Sequence, residues 1–271
     1  MTYVQIPKDI ALSRKPPIPL SRVELHVHLD GSVRRSTAYE LKMKQKQNEG
    51  GSICETYINH KASIRILEPE NLGKFLAKFQ HFAGSFAGDL DGKLKALISY
   101  LVRLNKADNV VENGKQFEFC ISAIKRIALE FCEDAAENGV LYVEARFSPH
   151  LMAKGEVKAE HVTKAVCDTF AEGEQKYGVK ARVILCCIIG MPPEIAEDVL
   201  KLAQQFQENG VVGIDIAGDE ATIVGDMYNE REKKVFADAK ALGIHRTVHA
   251  GEDGPSEHVT SALGKLFAYG V

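Results

Sequence analysis

No stretch of this 271-residue chain is apolar for long enough to form a signal-peptide core or a membrane span. The opening MTYVQIPKDIALSRKPPIPLS is broken by charges and prolines, and nothing later approaches a span. The expectation is a cytoplasmic chain. Also absent is a basic stripe interleaved with aromatics. The formal net charge is -3 with Lys and Arg spread evenly, which argues against nucleic acid as a partner. Cysteine is sparse: Cys54, Cys120, Cys132, Cys167, Cys186 and Cys187 form no CxxC pair. In a reducing compartment that pattern reads as packed thiols rather than disulfides or zinc ligands. Adjacent residues of a strand point to opposite faces, so Cys186 and Cys187 cannot share a metal. No internal repeat or low-complexity tract occurs.

What is present is an ordinary globular composition, 45% hydrophobic and 26% charged, long enough to bury a sizeable core. Short apolar runs alternate with helical patterns. The runs are VELHVHL, VLYVEARF from Val140, ARVILCCII from Ala181, GVVGIDIAG from Gly210 and HRTVHAG from His245. Between them IKRIALEFCEDAAENG ends on Gly139 as a capped helix would, and PPEIAEDVLKLAQQFQENG opens on proline and closes on Gly210. Strand, helix, strand in repetition predicts an α/β protein with a parallel sheet. The stretch KMKQKQNEGG, from Lys42 to Gly51, reads as a solvated loop.

The polar residues of the strands fall on one parity. Glu24, His26 and His28 alternate with Val23, Leu25 and Val27; Tyr142, Glu144 and Arg146 alternate with Val143, Ala145 and Phe147; Thr247 and His249 alternate with Val248 and Ala250. An open doubly wound sheet is covered by helices on both faces and would read apolar on both. A closed parallel barrel fits better, with helices outside and a polar site at the C-terminal end of the lumen. His28, Asp215 and His249 all fall at strand ends, where such a barrel keeps its chemistry.

Two histidines at i and i+2 on a strand share a face and reach one ion, and His249 on a later strand completes a three-nitrogen set suited to zinc. An isolated HxH is as often a pair of satisfied histidines, but here the pair is in a strand, has a strand-end partner and is joined by an acid. Glu252, three residues after His249, is placed to move protons beside a metal-bound water. Asp253 is read as a loop carboxylate. His60, His81, His161, His245 and His258 are read as structural, and His150, which ends a strand in SPH, is left open between the two roles.

Taken together, VELHVHLDGS, LYVEARFSPHL, GIDIAGDE and HRTVHAGE resemble, in order, the strand-end motifs of the adenosine deaminase family of metal-dependent hydrolases. The resemblance covers most of the chain. It implies a (β/α)8 TIM-type barrel that hydrolyses adenosine and 2'-deoxyadenosine to inosine or 2'-deoxyinosine and ammonia, in purine salvage, with one zinc ion per chain. His26, His28 and His249 would be the zinc ligands, Glu252 the acid that protonates the purine ring, and His28, Asp30 and Gly218 substrate contacts, with Asp30 at the sugar 5'-hydroxyl. The implied partner is a small purine nucleoside, with no nucleic acid and no membrane. Cytidine-type deaminases use HxE with PCxxC, which is absent here. Binuclear amidohydrolases carry a bridging lysine on the fourth strand, which GVVGIDIAG lacks. Adenine deaminases resemble the chain but have LEGT where LDGS stands here, and a nucleotide would need a cationic pocket where Asp30 stands.

Two departures from the family pattern accompany the resemblance. Relatives continue beyond Tyr269-Gly270-Val271 into a strand with a GHG-type histidine and then an SLNTDDP-like strand, so the given residues are expected to supply about five of the eight barrel strands. They are read as one domain, residues 1–271, without appreciable deaminase activity when expressed alone; the alternative is a short non-catalytic product that binds or regulates. Residues 89–119 are read as an insert, with Leu94, Leu97, Ile98, Leu101 and Val102 spaced for a helix.

Overall fold

The computed structural model describes residues 22–48, 113–153, 155–220, 223 and 227–271. His60, His81, Cys54 and most of the expected insert, residues 89–112, lie outside the described residues. Strand β1 (Arg22–His28) is followed by α1 (Arg35–Asn48) and the long α2 (Asn113–Glu137). Then come β2 (Val140–Phe147), the short α3 (Pro149–Met152), α4 (Ala159–Tyr177) and β3 (Lys180–Ile188). Helix α5 (Pro193–Gln205), β4 (Val211–Ala217), α6 (Glu230–Ala241), β5 (His245–Arg246) and α7 (Ser256–Lys265) complete the order.

All five strands are parallel and pair in sequence order, β1-β2-β3-β4-β5, as successive βα units require. The expected runs all form strands. The last is short, yet its ladder continues: Thr247 and His249 donate their N–H groups to the carbonyls of Ile214 and Ile216 at 3.0 and 2.9 Å. Gly139 and Gly210 end their segments at φ 74° and 106°, a left-handed backbone that costs glycine little.

Helices cover one face of the central strands. α2 and α4 pack together through the stacked rings of Phe131 and Phe170, 5.8 Å apart, while α4 lies on β3 and α5 on β3 and β4. Val143, Ala145, Phe147, Val183, Leu185, Ile214 and Ile216, all buried, form the sheet's side of this core. α1 and the residue before it are tied to α2 by charge: Arg34 reaches Glu133 and Asp134 at 2.7 Å, and Arg126, itself paired to Glu130 within α2, binds Glu40 at 2.8 Å. Among the described residues no helix is long and apolar enough to cross a membrane.

Two expectations need correction. Lys42–Asn48, read as loop, are the last two turns of α1. Lys, Gln and Met are good helix formers, so a polar stretch continues a helix that has already started. On β1, the face read as greasy is open, with Val23 62% and Leu25 55% exposed. Among the described residues β1 is an edge strand whose main contact is β2, so alternation marked a face that none of the described elements covers.

Candidate metal centre at the strand ends

In a flat sheet of five strands, β1 and β5 would stand about 19 Å apart at a spacing of about 4.8 Å. Here their histidines touch. His26 Nε2 lies 3.1 Å and His28 Nε2 3.0 Å from His249 Nε2, so the sheet curls until its first and last strands face each other across a lumen. The His249 ring sits edge to face against both others, and among the described residues the three are the group of His, Cys, Asp or Glu able to hold a metal ion.

His249 Nε2 lies at this separation from two other imidazole nitrogens, an arrangement that a cation between the three would satisfy. One Nε2–H proton can bridge one pair only, whereas a cation about 2.0–2.1 Å from each nitrogen in tetrahedral geometry puts the nitrogens about 3.3 Å apart. The observed spacing fits that set. Burial, with the nearby charges of His249 and Arg146, pushes the His28 imidazole down to about 4, and burial with Arg146 and His249 also lowers His26. Both are therefore neutral near pH 7, with lone pairs free for a cation.

Behind the triad stands a buried charged pair. Arg146 on β2 is 2% exposed and Asp215 on β4 is fully buried. Arg146 donates from Nη1 to Asp215 Oδ2 at 3.0 Å and to Thr247 Oγ1 at 3.3 Å, and from Nη2 to the Leu25 carbonyl at 3.0 Å. The Cys186 thiol donates to the same Asp215 Oδ2 at 3.3 Å, and His249 Nδ1 lies 2.9 Å from it. That last approach is off the N–H direction and forms no well-directed hydrogen bond. Burial alone would push the Asp215 carboxyl up; His249 and Arg146 outweigh it and hold the group below the usual carboxylate range.

The turn after β1 places Asp30 beside this cluster. Ser32 Oγ donates to the His28 carbonyl at 2.6 Å, and Leu29 N continues the ladder to the Arg146 carbonyl at 2.8 Å. Burial pushes the Asp30 carboxyl up to about 7 against the pull of the Asp30, Gly31 and Ser148 amides, and its Oδ1 has no hydrogen-bond partner. Gly218 follows β4 at φ 154°, where a Cβ would lie 2.9 Å from Ile189 Cβ; any side chain there would collide with the β3 loop.

Glu252 is solvent-exposed, but its backbone is held. Glu220, 2% exposed, accepts from the N–H groups of Gly251 at 2.9 Å, Glu252 at 2.8 Å and Asp253 at 3.2 Å, while His258 Nδ1 lies 2.9 Å away. These donors outweigh burial and lower the Glu220 carboxyl. The loop carrying His249 and Glu252 is thus built on one buried carboxylate.

The remaining described histidines stand apart from the triad. His150, left open by the sequence, has Nε2 2.9 Å from Asp198 of α5; His161 accepts the Lys158 N–H at the start of α4; His245 packs on Tyr269. Sequence reasoning missed Arg146 and Glu220 and saw Asp215 only as a strand-end residue. The parity pattern did carry a signal for the first pair, since an arginine aimed into a lumen requires a counter-charge from another strand.

Comparison with known proteins gives a consistent result. A sequence model of the adenosine deaminase family matches residues 91–269. The adenosine deaminase of Danio rerio is 36% identical over 269 residues, covering 95% of this chain and 65% of its own length. That of Xenopus tropicalis is 35% identical over 259 residues, with shares of 91% and 62%. The chain thus spans somewhat under two thirds of these relatives. Among solved structures, an amidohydrolase with bound zinc from Burkholderia ambifaria is similar at TM-score 0.65 and 23% identity, over 92% of this chain and 57% of that one. The N6-methyl-AMP deaminase of Arabidopsis thaliana is similar at TM-score 0.64 and 22% identity, with shares of 90% and 62%. At these identities the structures speak for the fold, a TIM-type barrel of which the five parallel strands are a part.

Proposed function

Because this chain belongs to the adenosine deaminase family, we propose that its strand-end site serves zinc-dependent hydrolytic deamination of adenosine and 2'-deoxyadenosine, yielding the inosines and ammonia in purine salvage. The observation that carries the reading is the meeting of His26 and His28 Nε2 with His249 Nε2, at 3.1 and 3.0 Å, from strands at opposite edges of the sheet. His26, His28 and His249 would hold zinc, which when bound would supply Lewis acidity and bring the pKa of a water to about 7. The chain's own groups do the rest. Glu252, on the loop braced by Glu220, delivers a proton to purine N1, which makes C6 electrophilic enough to accept the oxygen nucleophile and release ammonia. Asp30, with a buried and unpartnered Oδ1, is matched to a sugar hydroxyl, and a nucleotide phosphate would meet its carboxyl instead of a cation. Gly218 keeps side-chain bulk away from the substrate. A cytoplasmic location belongs to the same proposal and is supported by five buried free thiols among the described residues.

The test is equilibrium dialysis of adenosine against the chain with and without zinc, with conversion followed in the same samples by the fall in ultraviolet absorbance. Binding that requires zinc and weakens in Asp30→Ala is expected. Adenosine binding indifferent to both would overturn the reading, and conversion by the 271 residues themselves would overturn the expectation that they have no appreciable activity alone.

A further inference from the structure

We propose that Arg146 is a positioning residue of the metal centre: by clamping Asp215 and the backbone beside the ligands, it presents His249 Nε2 and His26 Nε2 to one ion. This rests on the metal-site reading above. The guanidinium touches none of the Nε2 atoms, so its part is indirect. Its three hydrogen bonds go to Leu25, the residue before His26, to Thr247, two residues before His249, and to Asp215, whose Oδ2 lies 2.9 Å from His249 Nδ1. One side chain therefore braces the supports of ligands that are 223 residues apart in sequence.

A buried ion pair is a weak source of net stability, because desolvation offsets most of its attraction. Its geometry explains it better than its energy. The fork of the guanidinium meets a carboxylate on β4, a hydroxyl after β5 and a carbonyl on β1 from fixed directions, a task that a lysine ammonium, a point charge on a flexible stem, cannot copy. Ligand-orienting groups of this kind typically change metal affinity by about 10- to 100-fold when lost.

The experiment measures zinc affinity by competition with a chromophoric chelator, and the visible spectrum of the cobalt-substituted protein, for the parent, Arg146→Lys, Arg146→Met and His161→Asn. Folding is checked by circular dichroism. The expected result is an affinity lowered about 10- to 100-fold in Arg146→Met, a smaller loss in Arg146→Lys, altered cobalt bands in both, and no change in His161→Asn. If Arg146→Met does not fold, Arg146→Lys is compared in the parent and in an Asp215→Asn background. A guanidinium acting through Asp215 costs less affinity once that carboxylate is gone, and an equal cost in both backgrounds overturns the proposal. Folded Arg146 variants with parental affinity and spectrum overturn it while the metal site stands. A parent that takes up no zinc overturns the site reading itself, and the positioning role with it.

Discussion

His26, His28 and His249 differ from the other described histidines in what their ring nitrogens face. The triad's Nε2 atoms face one another, whereas His150 and His258 face carboxylates and His161 a backbone N–H. A carboxylate or amide partner satisfies an imidazole without a metal; a second imidazole at 3.0 Å does so for one pair only. Replacing a triad member removes a ligand, and replacing a satisfied histidine removes a local hydrogen bond. Metal analysis of chains dialysed against zinc should therefore find the content lowered in His26→Asn and unchanged in His161→Asn. Equal loss from both would mean that the metal sits elsewhere.

Among the elements, the loop after β5 and the crossing of α2 with α4 make separate predictions. Glu220→Ala leaves three part-buried N–H groups without their charged acceptor, at a cost of about 1–3 kcal/mol, and should speed amide hydrogen exchange at residues 251–253. Unchanged exchange there would remove Glu220 from its bracing role. The sign with pH follows from the lowered carboxyl. The stabilisation is fully present above its ordinary value of 4.5 and is lost as the pH falls through the lower value of the folded state, so the parent loses this loop's protection in acid. At the helix crossing, a Cβ on Gly173 would lie 2.5 Å from Cys132 Sγ and 2.7 Å from its Cβ. Gly173→Ala gains about 1 kcal/mol of helix propensity but incurs an overpacking cost of about 1–3 kcal/mol. Urea unfolding should show a net loss, which Cys132→Ala relieves only in part because the 132 Cβ, 2.7 Å away, stays in place. A gain from Gly173→Ala alone would show that the interface yields.

For the whole molecule, the triad joins the two margins of the curled sheet, since His26 and His28 belong to β1 and His249 follows β5. An ion held by all three binds the folded chain and not the unfolded one. At a free zinc concentration 100 times the dissociation constant it should add about 2.7 kcal/mol to stability. Thermal unfolding in a zinc series should show a midpoint that rises with zinc in the parent and stays flat in His249→Asn. Zinc that binds stoichiometrically without moving the parent's midpoint would mean that the ligands do not bridge those margins.

All five strands were legible in the sequence because branched apolar runs bounded by turn residues need no tertiary information, and Gly139 and Gly210 mark their segment ends through backbone sterics alone. The parity of His26, His28, Arg146 and His249 named the lumen face for the same reason: in a strand, side chains alternate whatever surrounds them. Distance was not legible. Alternation says which way Arg146 points, but only the curl of the sheet, imposed by helices packed on its outer face, brings it within 3.0 Å of Asp215, 69 residues later, and closes His26 onto His249. Glu220 was invisible for a related reason. Its partners are backbone N–H groups, which every residue but proline carries, so no pattern of side chains announces them. The sequence by itself determined the elements, their faces and the ligand types; packing decided the curvature, and with it which buried charges could meet.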